Sequence, residues 1–163
     1  MVRLEPWGTG DLALLEQCVG DPAMMEHVGG PESAEKIAER QSRYELPDSK
    51  QYKIVDAADG EGVGWVGYWE REWQGNEVYE IGWAVIPAFQ GRGIASSATV
   101  AAVAIASAER THRLMHAYPS VENGPSNAVC RKAGFVLQGP YEFEYPEGHP
   151  MLCNDWRIEL FTP

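Results

Sequence analysis

Apolar residues along this chain switch between two spacings, and the switches mark its elements. Val2 to Pro6 reads as a short first strand. Leu12, Leu14, Leu15 and Val19 then follow a helical spacing, with Thr9 as its N-cap and Asp11 in the first turn. Gly20-Asp21-Pro22 ends that helix, and Pro22 to His27 suits a further short helical turn. After the break at Gly29-Gly30-Pro31, Pro31 fits the first position of a helix, and Glu32 and Glu35 fit its positive end. That helix runs to about Tyr44 and stops before Pro47. Gln51 to Ala57 alternates around Tyr52, Ile54 and Val55, and Asp59-Gly60 signals a hairpin into Val63 to Arg71. Gln74-Gly75-Asn76 turns the chain into a third strand, so three neighbouring strands are expected to be antiparallel.

The third strand, Val78 to Ile86, opens the most informative stretch. It is rich in β-branched and aromatic residues, and Pro87 marks its end because proline cannot donate to a sheet ladder. Gly91 and Gly93 supply a tight turn with exposed N–H groups. From Ile94 to Arg110 the pattern is helical, with Ala95, Ala98, Val103, Ile105 and Ala106 as the packed face. A strand, a glycine turn and a helix N-terminus in succession make an anion site, because first-turn N–H groups are unpaired and the helix dipole favours negative charge there. Downstream, Leu114 to Tyr118 reads as a strand, and Asn123-Gly124-Pro125-Ser126 opens a helix to about Lys132 that Gly134 caps. Phe135 to Leu137 begins another strand, Tyr141 to Pro150 is a looser acidic and aromatic segment, and Leu152 to Phe161 is the last strand.

Composition narrows the function classes. A chain of 163 residues with no internal repeat or linker is expected to form one domain over residues 1–163. The net charge of −11 disfavours nucleic acid, whose binding needs lysine and arginine to replace counterions. No apolar run is long enough to cross a bilayer, and the N-terminus lacks the apolar core of a signal peptide. Cys18, Cys130 and Cys153 are odd in number and widely spaced, which suits reduced thiols in a cytoplasm. His112 and His116 straddle an expected helix end and strand start, so they are not expected to share a metal face, and no metal is predicted.

The spacing Gln90-Gly91-Arg92-Gly93-Ile94-Ala95 is neither a Walker loop nor a dinucleotide fingerprint. It resembles the Gln/Arg-x-x-Gly-x-Gly/Ala pyrophosphate loop of the GCN5-related N-acetyltransferases. The segment from Asn123 and Ser126 to Lys132, Gly134 and Phe135 is similar to the Asn-x-x-Ser…Lys-x-Gly-Phe segment of the same family, especially its ribosomal-protein N-terminal acetyltransferase branch. The resemblance implies an α/β (α+β) GNAT fold. Its central sheet would have about six to seven strands, mixed but mostly antiparallel and splayed in the middle, with about four flanking helices. It further implies acetyl-CoA (coenzyme A) as cofactor, its pyrophosphate on Gln90, Gly91, Arg92, Gly93, Ile94 and Ala95. The pantetheine arm would lie between the splayed strands, with Asn123 and Ser126 near the sulfur. The bland alternative for both segments is ordinary loop and cap chemistry.

The implied reaction is acyl transfer from a thioester to a primary amine by direct attack. The amine must lose a proton to a base, the oxyanion needs a donor, and the departing thiolate needs a hydrogen bond or an acid. Glu80, on the strand leading into the loop, is the first candidate base, or else it simply pairs an arginine. Glu144 and Glu142 are its rivals, and Asp155 is a third option or a structural partner. The N–H of Val85 is the candidate to polarise the thioester carbonyl. Many relatives carry a tyrosine acid four residues before the Gly-Phe glycine, where this chain has Cys130, which leaves Ser126 to hydrogen-bond the thiolate. Cys130 itself lacks a histidine partner in the motif and reads as packing.

The acceptor is less defined. Trp65, Tyr68, Trp69, Trp73 and Tyr79 crowd the central hairpin, and some of them could join Glu70, Glu72, Glu142, Glu144 and Glu147 in an acidic aromatic slot for an ammonium group. A small-molecule amine and a protein N-terminus both fit, in a monomer or a homodimer. A catalytically silent acyl-CoA-binding or sensing module would carry the same loop and remains the alternative reading of these residues.

Overall fold

The fold is taken from a computed structural model that describes residues 1–144 and 147–163. Seven strands form one sheet in the order β1-β2-β3-β4-β5-β7-β6. They are β1 (Val2–Pro6), β2 (Gln51–Asp56), β3 (Gly62–Trp73), β4 (Asn76–Val85), β5 (Leu114–Ala117), β6 (Val136–Glu144) and β7 (Pro150–Glu159). Four α-helices flank it: α1 (Leu12–Val19), α2 (Ala34–Tyr44), α3 (Ile94–Glu109) and α4 (Gly124–Lys132). Every strand pair is antiparallel except β4 with β5, which are joined in parallel by the α3 crossover.

That parallel pair is short. It holds only Tyr79 opposite Met115 and Glu80 opposite His116, whereas β4 continues to Val85. Beyond Glu80 the two strands part, and a gap opens in the middle of the sheet. The Ile86 N–H still bonds to the Val63 carbonyl at 2.9 Å, so even-numbered residues of β4 face β3. By alternation, the backbone of Ile81, Trp83 and Val85 faces the gap.

The two faces of the sheet carry different cores. On one, Val66, Tyr68, Tyr79, Ile81 and Met115 pack under Ala98, Ala102 and Ala106 of α3. Glu109 fastens that helix to β3 and β4, accepting from the Tyr68 hydroxyl at 2.6 Å, Lys50 Nζ at 3.0 Å and the Tyr79 hydroxyl at 3.1 Å. On the other face, Trp65 joins Trp7, Leu15, Ile37 and Tyr44 under α1 and α2. β3 is buried from Val63 to Tyr68 because helices cover it on both sides.

Several local expectations shift. Thr9 does not cap α1: Thr9–Asp11 is a 3-10 turn, and buried Asp11 accepts from the Gly8 N–H at 2.8 Å. The helix expected from Pro31 starts three residues later, because Ser33 accepts from the Lys36 N–H and caps it. Pro22 to His27 forms turns and no helix. The packed face of α3 is Ile94, Ala98, Thr99, Ala102 and Ala106, with Ala95, Val103 and Ile105 half-buried at its margin. Part of the segment expected to be loose, Tyr141 to Glu144, is regular strand paired with Pro150–Cys153, and two of its residues, Tyr145 and Pro146, lie outside the described ones. Gly134 ends α4 as expected, at a φ of 93° with the Phe135 N–H on the Cys130 carbonyl at 3.0 Å. Among the described residues no helix is long and apolar enough to cross a membrane.

Candidate active site

The end of β4 and the start of α3 form one rim of the gap. After Val85 the chain makes a 3-10 turn over Pro87–Phe89 and an exposed loop over residues 90–93. Gln90 braces the loop from inside: its Nε2 donates to the Val85 carbonyl at 2.8 Å and reaches Met24 Sδ at 3.3 Å. Arg92 lies over the Phe89 ring and donates to the Ala88 carbonyl. Gly91 and Gly93 both have a φ of 77°, the left-handed region that favours glycine. Gly93 is the N-cap of α3, and no side chain bonds to the first turn of that helix. Its N–H groups therefore point into open space with the positive end of a sixteen-residue helix behind them. This geometry suits a diphosphate.

The opposite rim is the start of α4, which follows β5. Asn123 is the cap itself, its Oδ1 accepting from the Ser126 N–H at 3.1 Å. Ser126 thus sits in the first turn with its hydroxyl half-buried. Asn127 bolts the helix to the sheet. Its Nδ2 donates to the Ser120 and Asn123 carbonyls, and its Oδ1 accepts from Asn154 Nδ2 at 2.9 Å and Trp156 Nε1 at 2.8 Å. Behind this turn Cys130 is fully buried, and burial pushes its thiol up to about 12, so it stays protonated and inert.

Glu80 stands at the point where the gap opens. Its Oε1 accepts from Arg71 Nη1 at 2.6 Å, and it lies directly across from His116. Burial pushes its carboxyl above the ordinary range, and the Arg71 guanidinium and His116 pull it part of the way back. His116 is buried, with Nδ1 2.6 Å from Oδ1 of buried Asp155, whose Oδ2 accepts from Trp73 Nε1 at 3.2 Å. The Arg71 guanidinium lies 4.7 Å from the centroid of the Tyr118 ring, 5.3 Å from that of Trp73 and 5.4 Å from that of Phe143. An aromatic cage of the kind that takes ammonium groups is thus filled by the chain's own cation.

The sheet gathers Glu80 and Asp155 on one face with His116 between them. It does not bring Glu144 or Glu142 there. Phe143 turns toward Arg71, so by alternation the carboxylates of Glu142 and Glu144 leave from the other face, both exposed. Nor does the hairpin assemble the acidic aromatic slot in the form expected. Tyr68 and Tyr79 face α3, while Trp65 and Trp69 stack with each other on the opposite face. His112 and His116 share no face: His112 lies beside Glu70 and Glu77, with their ligand atoms within 4.8 Å of one another, well apart from the buried His116–Asp155 pair. Sequence reasoning passed over Arg71, Tyr118, Asn127 and the use of His116. Only the suggestion that Glu80 pairs an arginine pointed toward them.

A cavity of about 250 Å3 lies outside this cluster. Its lining comes from the α1–α2 connection (Glu26, His27), the β5–α4 connection (Ser120, Glu122), His149 just before β7 and Met151 within it. Met24 of the first connection lies against Gln90.

Comparison with known proteins bears on the family and the fold. Residues 2–136 match the family model described as an acetyltransferase (GNAT) domain. An uncharacterized N-acetyltransferase, YnaD, of Bacillus subtilis (strain 168) is 32% identical over 87 residues, a stretch that covers 53% of this chain and only 48% of that relative. Among solved structures, a ribosomal L7/L12 alpha-N-protein acetyltransferase in complex with coenzyme A superposes with a TM-score of 0.79 at 23% identity, over 97% of this chain and 93% of that one. The spermidine N-acetyltransferase of Vibrio cholerae, in complex with CoA and spermine, does so with a TM-score of 0.78 at 18% identity, over 98% and 95%. At such identities the likeness speaks to the fold.

Proposed function

The chain belongs to the GNAT acetyltransferase family, and from that premise we propose that it transfers the acetyl group of acetyl-CoA to a primary amine by direct attack in a ternary complex. The observation that carries this reading is the uncapped start of α3 on the rim of a gap whose closed end holds Glu80. In this reading the diphosphate rests on the N–H groups from Gly91 to Ala95, and the pantetheine arm runs into the gap between β4 and β5. The thioester then meets the gap-facing N–H of Val85, which polarises its carbonyl. Glu80 takes the proton of the incoming amine, directly or through water. Its raised pKa makes it a stronger base than an ordinary carboxylate, and the Arg71 guanidinium offsets part of that rise. The Ser126 hydroxyl and the Asn123 side chain hold the arm near the sulfur.

The acceptor enters from the cavity lined by Glu26, Glu122, His27 and His149, whose carboxylates suit a cation. Spermine bound to the Vibrio cholerae enzyme and the protein N-terminus named for the L7/L12 enzyme bracket the acceptor classes, small amine and peptide. Glu144, exposed on β6, keeps a place as a carboxylate outside the Glu80 cluster. A second reading has one observation in its favour: the Glu80 carboxylate is already ion-paired, as it would be in a silent acyl-CoA-binding module. Thiol release from acetyl-CoA with a panel of small amines and N-terminal peptides separates the two. Amine-dependent release is the expected result, and coenzyme A binding without release would leave the silent module standing.

A further inference from the structure

Among the described residues one buried polar side-chain atom has no hydrogen-bond partner, and it is the hydroxyl of Tyr118. Orphaned buried polar atoms are rare, because leaving one unmade costs about 1–3 kcal/mol. This one lies next to the site already described. Tyr118 follows β5 directly, two residues beyond the His116 that pairs with Glu80, and its ring stacks on His116 at 5.7 Å with an interplanar angle of 11°. Trp73 at 5.0 Å and Phe143 at 5.2 Å hold the ring from the sides, and Arg71 lies over it. The ring is pinned on all these sides while its polar tip is left unused.

We propose that the Tyr118 hydroxyl is a catalytic hydrogen-bond donor reserved for the thioester, bonding to the negative charge that develops there during transfer. The proposal rests on the acetyltransferase reading above. The neighbours favour a donor role. Burial raises the phenol strongly, Asp155, Glu80 and Tyr141 add to that, and Arg71 opposes it, so the hydroxyl keeps its proton throughout the physiological range. A neutral donor shielded from water gains most when its acceptor becomes charged, which happens in the transition state and not in the bound substrate. The position is also apt. Cys130 leaves α4 without a hydroxyl at that point of its buried face, and Tyr118 carries one at the end of β5, the strand before that helix.

Tyr118→Phe tests this cleanly, because the lost oxygen has no partner whose removal would unfold the protein. The full-length variant should melt at or above the temperature of the parent. With an amine accepted by the parent, kcat should fall roughly 100-fold, while KM for acetyl-CoA and for the amine stays within about twofold. An unchanged kcat in the variant beside an active parent would overturn the Tyr118 assignment alone. A loss confined to the amine KM would overturn it too, making the tyrosine an acceptor-binding group, and a clearly lowered melting temperature would make it structural. If the parent itself released no thiol with any amine, the acetyltransferase reading would fall and this one with it.

Discussion

The helices α3 and α4 start on opposite rims of the same gap, each directly after a strand that borders it, yet their first turns are treated in opposite ways. At α4 the Asn123 carboxamide caps the Ser126 N–H, and Asn127 spends all of its amide on Ser120, Asn123, Asn154 and Trp156. At α3 the cap is a glycine, no side chain reaches the first turn, and the loop before it is exposed. One helix start is closed by its own side chains, and the other is left open. The difference follows from chemistry: a short polar side chain at an N-cap satisfies N–H groups that an anion would otherwise bind.

The largest effect should come from closing the open start. A Cβ at Gly93 meets nothing within 4 Å, so Gly93→Val costs strain at a φ of 77° and little crowding inside the protein. Its side chain would instead project into the space where the diphosphate is proposed to lie. Titration calorimetry should show coenzyme A affinity falling by roughly 100-fold or more, about 2.7 kcal/mol or above. A drop in melting temperature with affinity intact would mean that α3 starts open for some other reason.

Between the rims, Glu80 should govern rate and leave cofactor affinity alone. Glu80→Gln should lower kcat by about 100-fold or more at unchanged coenzyme A affinity. The pH dependence has a definite sign. A base acts only when ionised, and burial raises this carboxyl, so the acid limb of kcat/KM should lie above the ordinary carboxylate range. Arg71→Met removes the cation that pulls the value back and should move that limb to higher pH. A limb that stays put in the Met variant would disconnect Glu80 from the rate.

How much of this was legible in the chain depends on the range of each interaction. The loop at 90–95, the cap at Asn123 and the termination at Gly134 are local, since each is written in a few consecutive residues and works through its own backbone. The three antiparallel strands followed from two tight turns, at Asp59-Gly60 and at Gln74-Gly75. The surroundings of Glu80 are not local. Arg71 comes from β3, Tyr118 from the end of β5, Asp155 from β7 and Phe143 from β6, and they meet only because β7 inserts between β5 and β6. A single-residue change of register would send Arg71 or Asp155 to the other face. Alternation also misplaces Glu144 for a reader without the pairing, because nothing in Tyr141-Glu142-Phe143-Glu144 says which half faces Glu80.

On the closed rim, a substitution at Asn127 should cost stability and spare binding. Asn127→Leu would strand the Trp156 Nε1–H in a buried site and leave Asn154 without its acceptor, at a cost of about 1–3 kcal/mol in urea unfolding. Coenzyme A affinity should change little, because the Asn127 amide faces β7 and its own helix start. A large loss of affinity without loss of stability would move Asn127 from the scaffold to the cofactor site.

The smallest and most discriminating change is Asn123→Ala. It removes one cap from a nine-residue helix, which costs about 1 kcal/mol when the partner N–H is otherwise solvated. It also frees the Ser126 N–H and converts the closed start of α4 into a second open one. If the pantetheine arm passes near Asn123, the variant should lose a few-fold in acetyl-CoA KM on top of its lower unfolding midpoint, and added inorganic phosphate should not restore either. If the midpoint falls and KM holds, Asn123 is a cap alone, and the contrast between the two rims becomes complete: one binds and the other only supports.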